Sequence, residues 1–322
     1  MTALFLFKRA GLHAVLLLLI GWTRAWTQEV RPPATAGRIA AELKEIENAA
    51  NSKAPGDQLG RCWALLGSDY HDMGDLQRAE DAYGRALKLL GGSPSAPRSY
   101  AITLDAMASV YLDTGRSKES ETCRRKAIAV FEGLGDRTNV SILHGHLAES
   151  LLKQRKNKEA ETELSEGLRG IEGKDGYARE AATMLLSRAY AKCLLHRCSE
   201  GLADAKAGME IARTTLPSDS IVTVVAWMVL GYTLWQTGDP TGGGESMREG
   251  LRALSAKKDE TPSTLALARA GALAEYAEYL NATHHKAEAR QLENEIMSLR
   301  SAQGTSCNGC TVNVLGLSNA FR

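Results

Sequence analysis

The chain has 322 residues, 44% apolar and 24% charged, close to the composition of soluble globular proteins, which excludes global disorder. With 39 basic against 38 acidic side chains the formal charge is +1, so charge gives no reason to expect a nucleic acid or an anionic membrane surface as partner. This length fits either two compact domains or one elongated array, and internal repeats decide between them.

At the start, Lys8-Arg9 precede an apolar run from Ala10 to Trp22, followed by small residues near Ala25. That is the order of a secretory signal peptide. The run is thirteen residues, and a membrane-spanning helix needs about 20, so a cleaved signal over residues 1–27 is expected rather than an anchor. Processing after Ala25 or after Thr27 both fit. A secreted or periplasmic destination is expected, with membrane contact only through this segment if it stays uncleaved. Losing Lys8, Arg9 and Arg24 would leave a formal charge of −2. No cysteine follows the run until Cys62, which excludes a lipid-modified cysteine at the cleavage site. Within 28–58, Ile39, Leu43 and Ile46 share one helical face and predict an entry helix that caps the first repeat.

From 59 to 300 one pattern recurs. Trp63-x2-Leu66-Gly67-x2-Tyr70 leads to Gly74 and then to Ala79-x3-Tyr83-x2-Ala86, which predicts a helix, a tight turn and a second helix. Leu104-x2-Met107-Ala108-x2-Tyr111 repeats it with Gly115 and Ala127, and Leu147-Ala148-x2-Leu151 with Ala160, Leu164 and Gly167. Leu186-Ser187-x2-Tyr190 opens a fourth copy, whose second helix over Gly201 to Ala212 is offset through Lys192 to Ser199. Trp227-x2-Leu230-Gly231-x2-Leu234 restores the full signature with Gly238 and Gly250, and a degenerate sixth copy spans Leu265 to Leu280 and Lys286 to Leu299. Starts near 60, 101, 141, 180, 224 and 268 lie 39 to 44 residues apart. Gly67, Ala108, Ala148 and Gly231 are small where two helices must cross closely. Gly74, Gly115 and Gly238 stand where a first helix must end in a left-handed turn.

These residues resemble the tetratricopeptide repeat family, in the long-spacing form of kinesin light chains and many bacterial arrays. The resemblance implies an all-α fold, a right-handed α-solenoid of about six antiparallel helix pairs, acting as a non-catalytic scaffold. In that family the first helices line a concave groove that receives a partner's peptide or helix. First-helix residues off the packed stripe are therefore the candidate contacts: Arg61, Ser68, Asp72, Asp105, Ser109, Asp113, Glu149, Lys153, Arg188, Lys192, Tyr232 and Gln236. Such a groove would run from acidic in the second repeat to basic in the third and fourth, which would orient an asymmetric partner. The family's carboxylate-binding subclass uses paired asparagine and lysine on this face, and Ala64 and Ser68 depart from it.

Among the cysteines, Cys307-Asn-Gly-Cys310 lies in a tail over 301–322 rich in Gly, Ser and Asn, where the helical period stops. A local disulfide or two free thiols is the plain reading, beside a redox pair or a zinc site completed by His284 and His285. Thr311 after the second cysteine excludes covalent haem attachment. Cys193 and Cys198 approach only if the helix breaks between them, and Cys62 and Cys123 read as small core residues. His144-Gly-His146 sends two rings to different faces and argues against a shared metal. Asn139-Val-Ser141 and Asn281-Ala-Thr283 match the glycosylation triplet, which matters only in a eukaryotic secretory pathway. No metalloprotease, nucleophile-elbow or phosphate-loop motif is present, so no catalytic residue, cofactor or metal is assigned. The expected function is a non-catalytic interaction scaffold of the cell envelope with a protein or peptide partner. The alternative is redox or metal chemistry carried by Cys307 and Cys310.

Overall fold

A computed structural model describes residues 36–306 apart from 94, 219 and 257–261. The segment 1–27, expected as a signal peptide, and the pair Cys307/Cys310 lie outside the described residues. Those described form thirteen helices and no strand. A lead helix, α1 (Ala36–Asn51), precedes six antiparallel pairs. They are α2 (Gly56–Asp72) with α3 (Leu76–Leu90), α4 (Pro97–Asp113) with α5 (Ser117–Gly133), and α6 (Arg137–Lys153) with α7 (Asn157–Ile171). Then come α8 (Ala178–Leu194) with α9 (Cys198–Thr215), α10 (Ile221–Gln236) with α11 (Pro240–Ala256), and α12 (Pro262–Ala282) with α13 (Lys286–Ser306). The described residues fall into two compact units, one of 36–123 with 301–306 and one within 124–300.

A single register runs through all six pairs. Each first helix ends in a residue with positive φ: Gly74 at 78°, Gly115 at 79°, Arg155 at 62°, His196 at 60°, Gly238 at 96° and His284 at 69°. Seven residues before each stands a small residue, Gly67, Ala108, Ala148, Ala189, Gly231 and Ala277. Five residues after each stands another, Ala79, Ser120, Ala160, Gly201, Gly243 and Ala289. In two pairs these small residues are where the helices touch, Ala189 with Gly201 and Gly231 with Gly243. A Cβ on Gly231 would fall 2.7 Å from the Gly243 carbonyl oxygen, and one on Gly67 2.7 Å from the Tyr83 ring.

This register corrects the fourth repeat. A Cβ on Gly201 would fall 2.8 Å from the carbonyl oxygen of Ala189, just as one on Gly243 would from that of Gly231. The crossing residue is therefore Ala189, not Ser187, and the stripe positions on either side of it hold Arg188 and Lys192. The cause is the chemistry of the pair: two cations facing an aspartate replace the apolar contacts of other repeats, so the hydrophobic pattern shifts.

In the first unit the core gathers Ile46, Leu66, Tyr70, Tyr83, Met107 and Val110, with Trp63 and Leu59 packed against it. Arg38 ties α1 onto α2 through Asp69, its Nε at 2.6 Å and Nη2 at 2.5 Å from the two carboxylate oxygens. In the second unit Leu147, Leu151, Leu164, Met184, Leu186, Met228 and Met247 are fully buried. Each such side chain contributes about 1.5–3 kcal/mol. Helix starts are capped by short acceptors: Asp75 from the Arg78 N–H at 3.1 Å, Asp136 from Asn139 at 3.1 Å and Asp239 from Gly242 at 2.9 Å. The last helix runs to Ser306, five residues beyond the expected stop at Ser301, because Ala302 and Gln303 favour a helix and no proline intervenes.

Candidate partner-binding face

The shared register places equivalent first-helix residues in every repeat. The residue after each crossing position is Ser68 or Ser109 in the first unit and Glu149, Tyr190, Tyr232 or Glu278 in the second.

In the first unit, Arg61 is exposed and pairs with Asp57 on its own helix at 3.0 Å. Ser68 and Asp72 are half-buried. Asp105 and Ser109 are buried rather than solvent-facing, and the Ser109 hydroxyl donates to the Asp105 carbonyl at 3.3 Å. Asp113 is exposed and meets His71 Nε2 at 2.8 Å, joining α4 to α2. Leu65 on α2 and Ile102 on α4 are 45% and 42% exposed, large apolar side chains left to solvent on the first helices.

The second unit departs further from the expected basic groove. Glu149 is buried and sits 3.3 Å from Arg124, a guanidinium with no exposed surface, which also donates to the Ser150 hydroxyl at 3.0 Å and to the His146 carbonyl. Glu149 is thus an internal counter-ion. Lys153 is half-buried. Arg188 makes a two-pronged contact with Asp204, at 2.8 and 2.7 Å, and Lys192 reaches the same carboxylate at 2.8 Å. Burial of Asp204 alone would raise its pKa, but the hydrogen bonds from Arg188 and Lys192 outweigh that and hold it below the usual range. Both cations therefore face the interior of their own hairpin. Between α8 and α9 the helix breaks at His196, and Cys193 and Cys198 close a disulfide across the break, their Cα atoms 4.1 Å apart. Burial pushes the Cys62 thiol up, as for a core residue; Cys123 is half-buried. His144 Nδ1 lies 2.6 Å from Glu163 while His146 is buried, so the two rings serve different contacts.

Aromatic residues gather at the end of the second unit. Tyr232, itself buried, meets Trp235 edge-on at 5.9 Å, Trp235 meets Tyr279 edge-on at 5.7 Å, and Tyr279 stacks on Tyr276 at 5.7 Å. The Tyr279 hydroxyl donates to the Pro240 carbonyl at 2.8 Å and Arg248 donates to the Tyr276 hydroxyl at 3.2 Å. Gln236, one residue beyond Trp235, is exposed. Beside this cluster Glu275 is 1% exposed, and neither of its carboxylate oxygens meets a hydrogen-bonding partner among the described residues. Burial, then the nearby Glu278, pushes the Glu275 carboxyl well above the usual range. Burial, then Glu275, raises the Tyr190 hydroxyl, and burial, then Glu278 and Glu275, raises that of Tyr232. The sequence reading missed Glu275, Glu278 and Tyr190 as face residues. The available signal was an acid at Glu275 and again at Glu278 inside the apolar run from Leu273 to Leu280.

Known proteins resemble this chain along the same lines. The tetratricopeptide repeat model matches residues 60–89, the first hairpin. No curated protein matches the chain in sequence. Among solved structures, the apo form of RapI superposes with a TM-score of 0.70 at 12% identity, over 83% of this chain and 92% of its own. A kinesin light chain repeat array of Podosopora anserina gives 0.53 at 14% identity, over 62% and 96%. NprR in complex with its cognate peptide NprX gives 0.57 at 13% identity, over 82% and 79%. At these identities the likeness speaks for the fold alone. The family model thus shows a tetratricopeptide repeat at residues 60–89, and the solved structures show the same fold of paired helices.

Proposed function

We propose that this protein is a non-catalytic scaffold of the cell envelope that binds a partner peptide or helix along its first-helix face. The observation that carries the reading is the common register, which brings equivalent residues of successive first helices to one face in each unit. Stacked hairpins use their side chains for their neighbours, and what remains on that face is free to vary with the partner. Exposed Leu65 and Ile102 in the first unit are apolar anchors of the kind a partner helix covers. That NprR, a relative in fold, is in complex with its cognate peptide supports a peptide as ligand. The Cys193–Cys198 disulfide supports an oxidising compartment, in keeping with the signal-like N-terminus.

The test is affinity capture from the envelope fraction with the tagged mature protein, comparing wild type with a Leu65→Asp/Ile102→Asp variant. A specific partner retained by wild type and lost from the variant is the expected result. Absence of any specific partner from the wild-type bait would sink the scaffold reading. Arg188→Glu with Lys192→Glu is not a test of this face, since it breaks the internal pairs with Asp204.

A further inference from the structure

Several buried charges among the described residues are matched by opposite charges: Asp69 by Arg38, Arg124 by Glu149, Asp204 by Arg188 and Lys192. Glu275 breaks that pattern. It is buried to 1% exposure on α12, and both of its oxygens are without a hydrogen-bonding partner among the described residues. A buried polar atom left unmatched by its own fold calls for a ligand, an ion or a strained function.

Its surroundings narrow the choice. Glu278 stands three residues later on the same helix, so the two carboxyls lie on one side of α12, and Glu278 is only half-buried. Tyr190 of α8 and Tyr232 of α10 occupy the register position that Glu278 has on α12, and all four groups act on one another electrostatically. Glu278 brings negative charge, and the Glu275 carboxyl and the two phenols bring oxygen atoms and ring faces beside it. The charge and the ring faces attract a cation. Among the described residues no group of three or more metal-ligating side chains is assembled, so an organic cation fits better than a metal ion.

We propose that Glu275, with Glu278 and the rings of Tyr190 and Tyr232, forms a receptor site for a cationic side chain of the bound partner segment, a lysine ammonium. The site rests on the peptide-binding reading and gives it a chemical preference and a register: the partner places a lysine opposite α8, α10 and α12. Glu278, half-buried, meets the ammonium first, ahead of the almost fully buried Glu275. On binding, the Glu275 carboxyl releases its proton to solvent, and the ion pair supplies the partner that the carboxylate lacks within its own fold.

The test needs no knowledge of the natural partner. The tagged mature protein is titrated with an N-acetylated, amidated pentapeptide Gly-Ser-Lys-Ser-Gly and with its norleucine counterpart, and amide shifts are followed by NMR. Wild type is expected to bind the lysine peptide on the order of tenfold more tightly than the norleucine peptide, and Glu275→Gln to lose that preference. Glu245→Gln, an exposed acid on α11, keeps it. If Glu275→Gln does not fold, Glu278→Gln is expected to weaken the same preference. Equal binding of the two peptides by wild type, or a preference that survives in a folded Glu275→Gln protein, overturns the proposal. Either failure leaves the capture experiment untouched, so loss of this site and loss of the scaffold reading are told apart.

Discussion

Glu275 and Asp204 are buried carboxyl groups in opposite surroundings, and their responses to pH have opposite signs. Glu275 holds its proton in the folded state, since burial and Glu278 both disfavour the anion. Unfolding releases that proton once the pH passes the ordinary glutamate value near about 4.3. Between that value and the raised folded pKa the folded chain binds more protons, so stability falls as pH rises. Comparing thermal midpoints of wild type and Glu275→Gln from pH 4.5 to 8 should therefore show the variant gaining on wild type as pH rises. A constant difference would argue against a buried, protonated carboxyl. Asp204 contributes the other way: its pKa is depressed by Arg188 and Lys192, so its stabilisation is present above the ordinary aspartate value and is lost as pH falls through the depressed one. Asp204→Asn leaves two cations without their counter-ion and should cost roughly 3 kcal/mol at neutral pH, read from urea unfolding.

At the scale of an element, the fourth hairpin shows how one repeat keeps the register without the usual residues. His196 takes the left-handed turn that glycine supplies at Gly74, Gly115 and Gly238. A non-glycine residue there is conformationally costly, and the Cys193–Cys198 disulfide spans the same turn. Closing a loop this short restricts the unfolded chain by about 2 kcal/mol in the chain-entropy account. Replacing both cysteines by serine, or adding a thiol reductant to wild type, should lower unfolding stability by about that amount. The double variant should be insensitive to the reductant. Should wild type unfold identically with and without it, the disulfide does not form in solution. The paired crossing positions are less forgiving. At Gly231 the nearest atom to an added Cβ is backbone oxygen of Gly243, which has no side-chain freedom with which to yield.

Over the whole molecule, stability in stacked hairpins is a sum of local terms and contacts with the next repeat. Helices with neighbours on both sides are held more firmly than those at an end. In α10 every residue from Val222 to Ala226 is buried, whereas α13 exposes Lys286, Glu288, Arg290, Gln291 and Met297. Hydrogen exchange should therefore be fastest in α13 and α1 and slowest in α10, and equal protection across the three would contradict additive stacking. The Arg38–Asp69 contact ties the lead helix to α2, so Arg38→Ala should speed exchange in α1 ahead of other helices.

Much of this was legible in the residues themselves. Trp63, Leu66, Gly67, Tyr70 and Gly74 announce a helical hairpin because their spacing is that of one helix face and a left-handed stop, both local properties of the backbone. The return of that pattern at Trp227 to Gly238 fixed the fold class and the number of pairs. Of the face expected to cap the first repeat, Ile46 enters the first core and Ile39 packs against it, whereas Leu43 stays exposed. Tertiary structure alone decided which polar residues look inward. Arg188, Lys192 and Glu149 read as a solvated face because charge usually is, yet each meets an opposite charge 16, 12 or 25 residues away in the chain. Glu275 was hidden for a related reason. A helix buried on most sides loses the polar and apolar alternation that marks its face, so an acid within it carries no periodic signal. Only the packing of α12 on α10, and of α10 on α8, brings its carboxyl within electrostatic reach of Tyr232 and Tyr190. Periodicity along one helix reports what that helix requires of its neighbours, while the choice of neighbour for each polar atom is settled where separate helices come together.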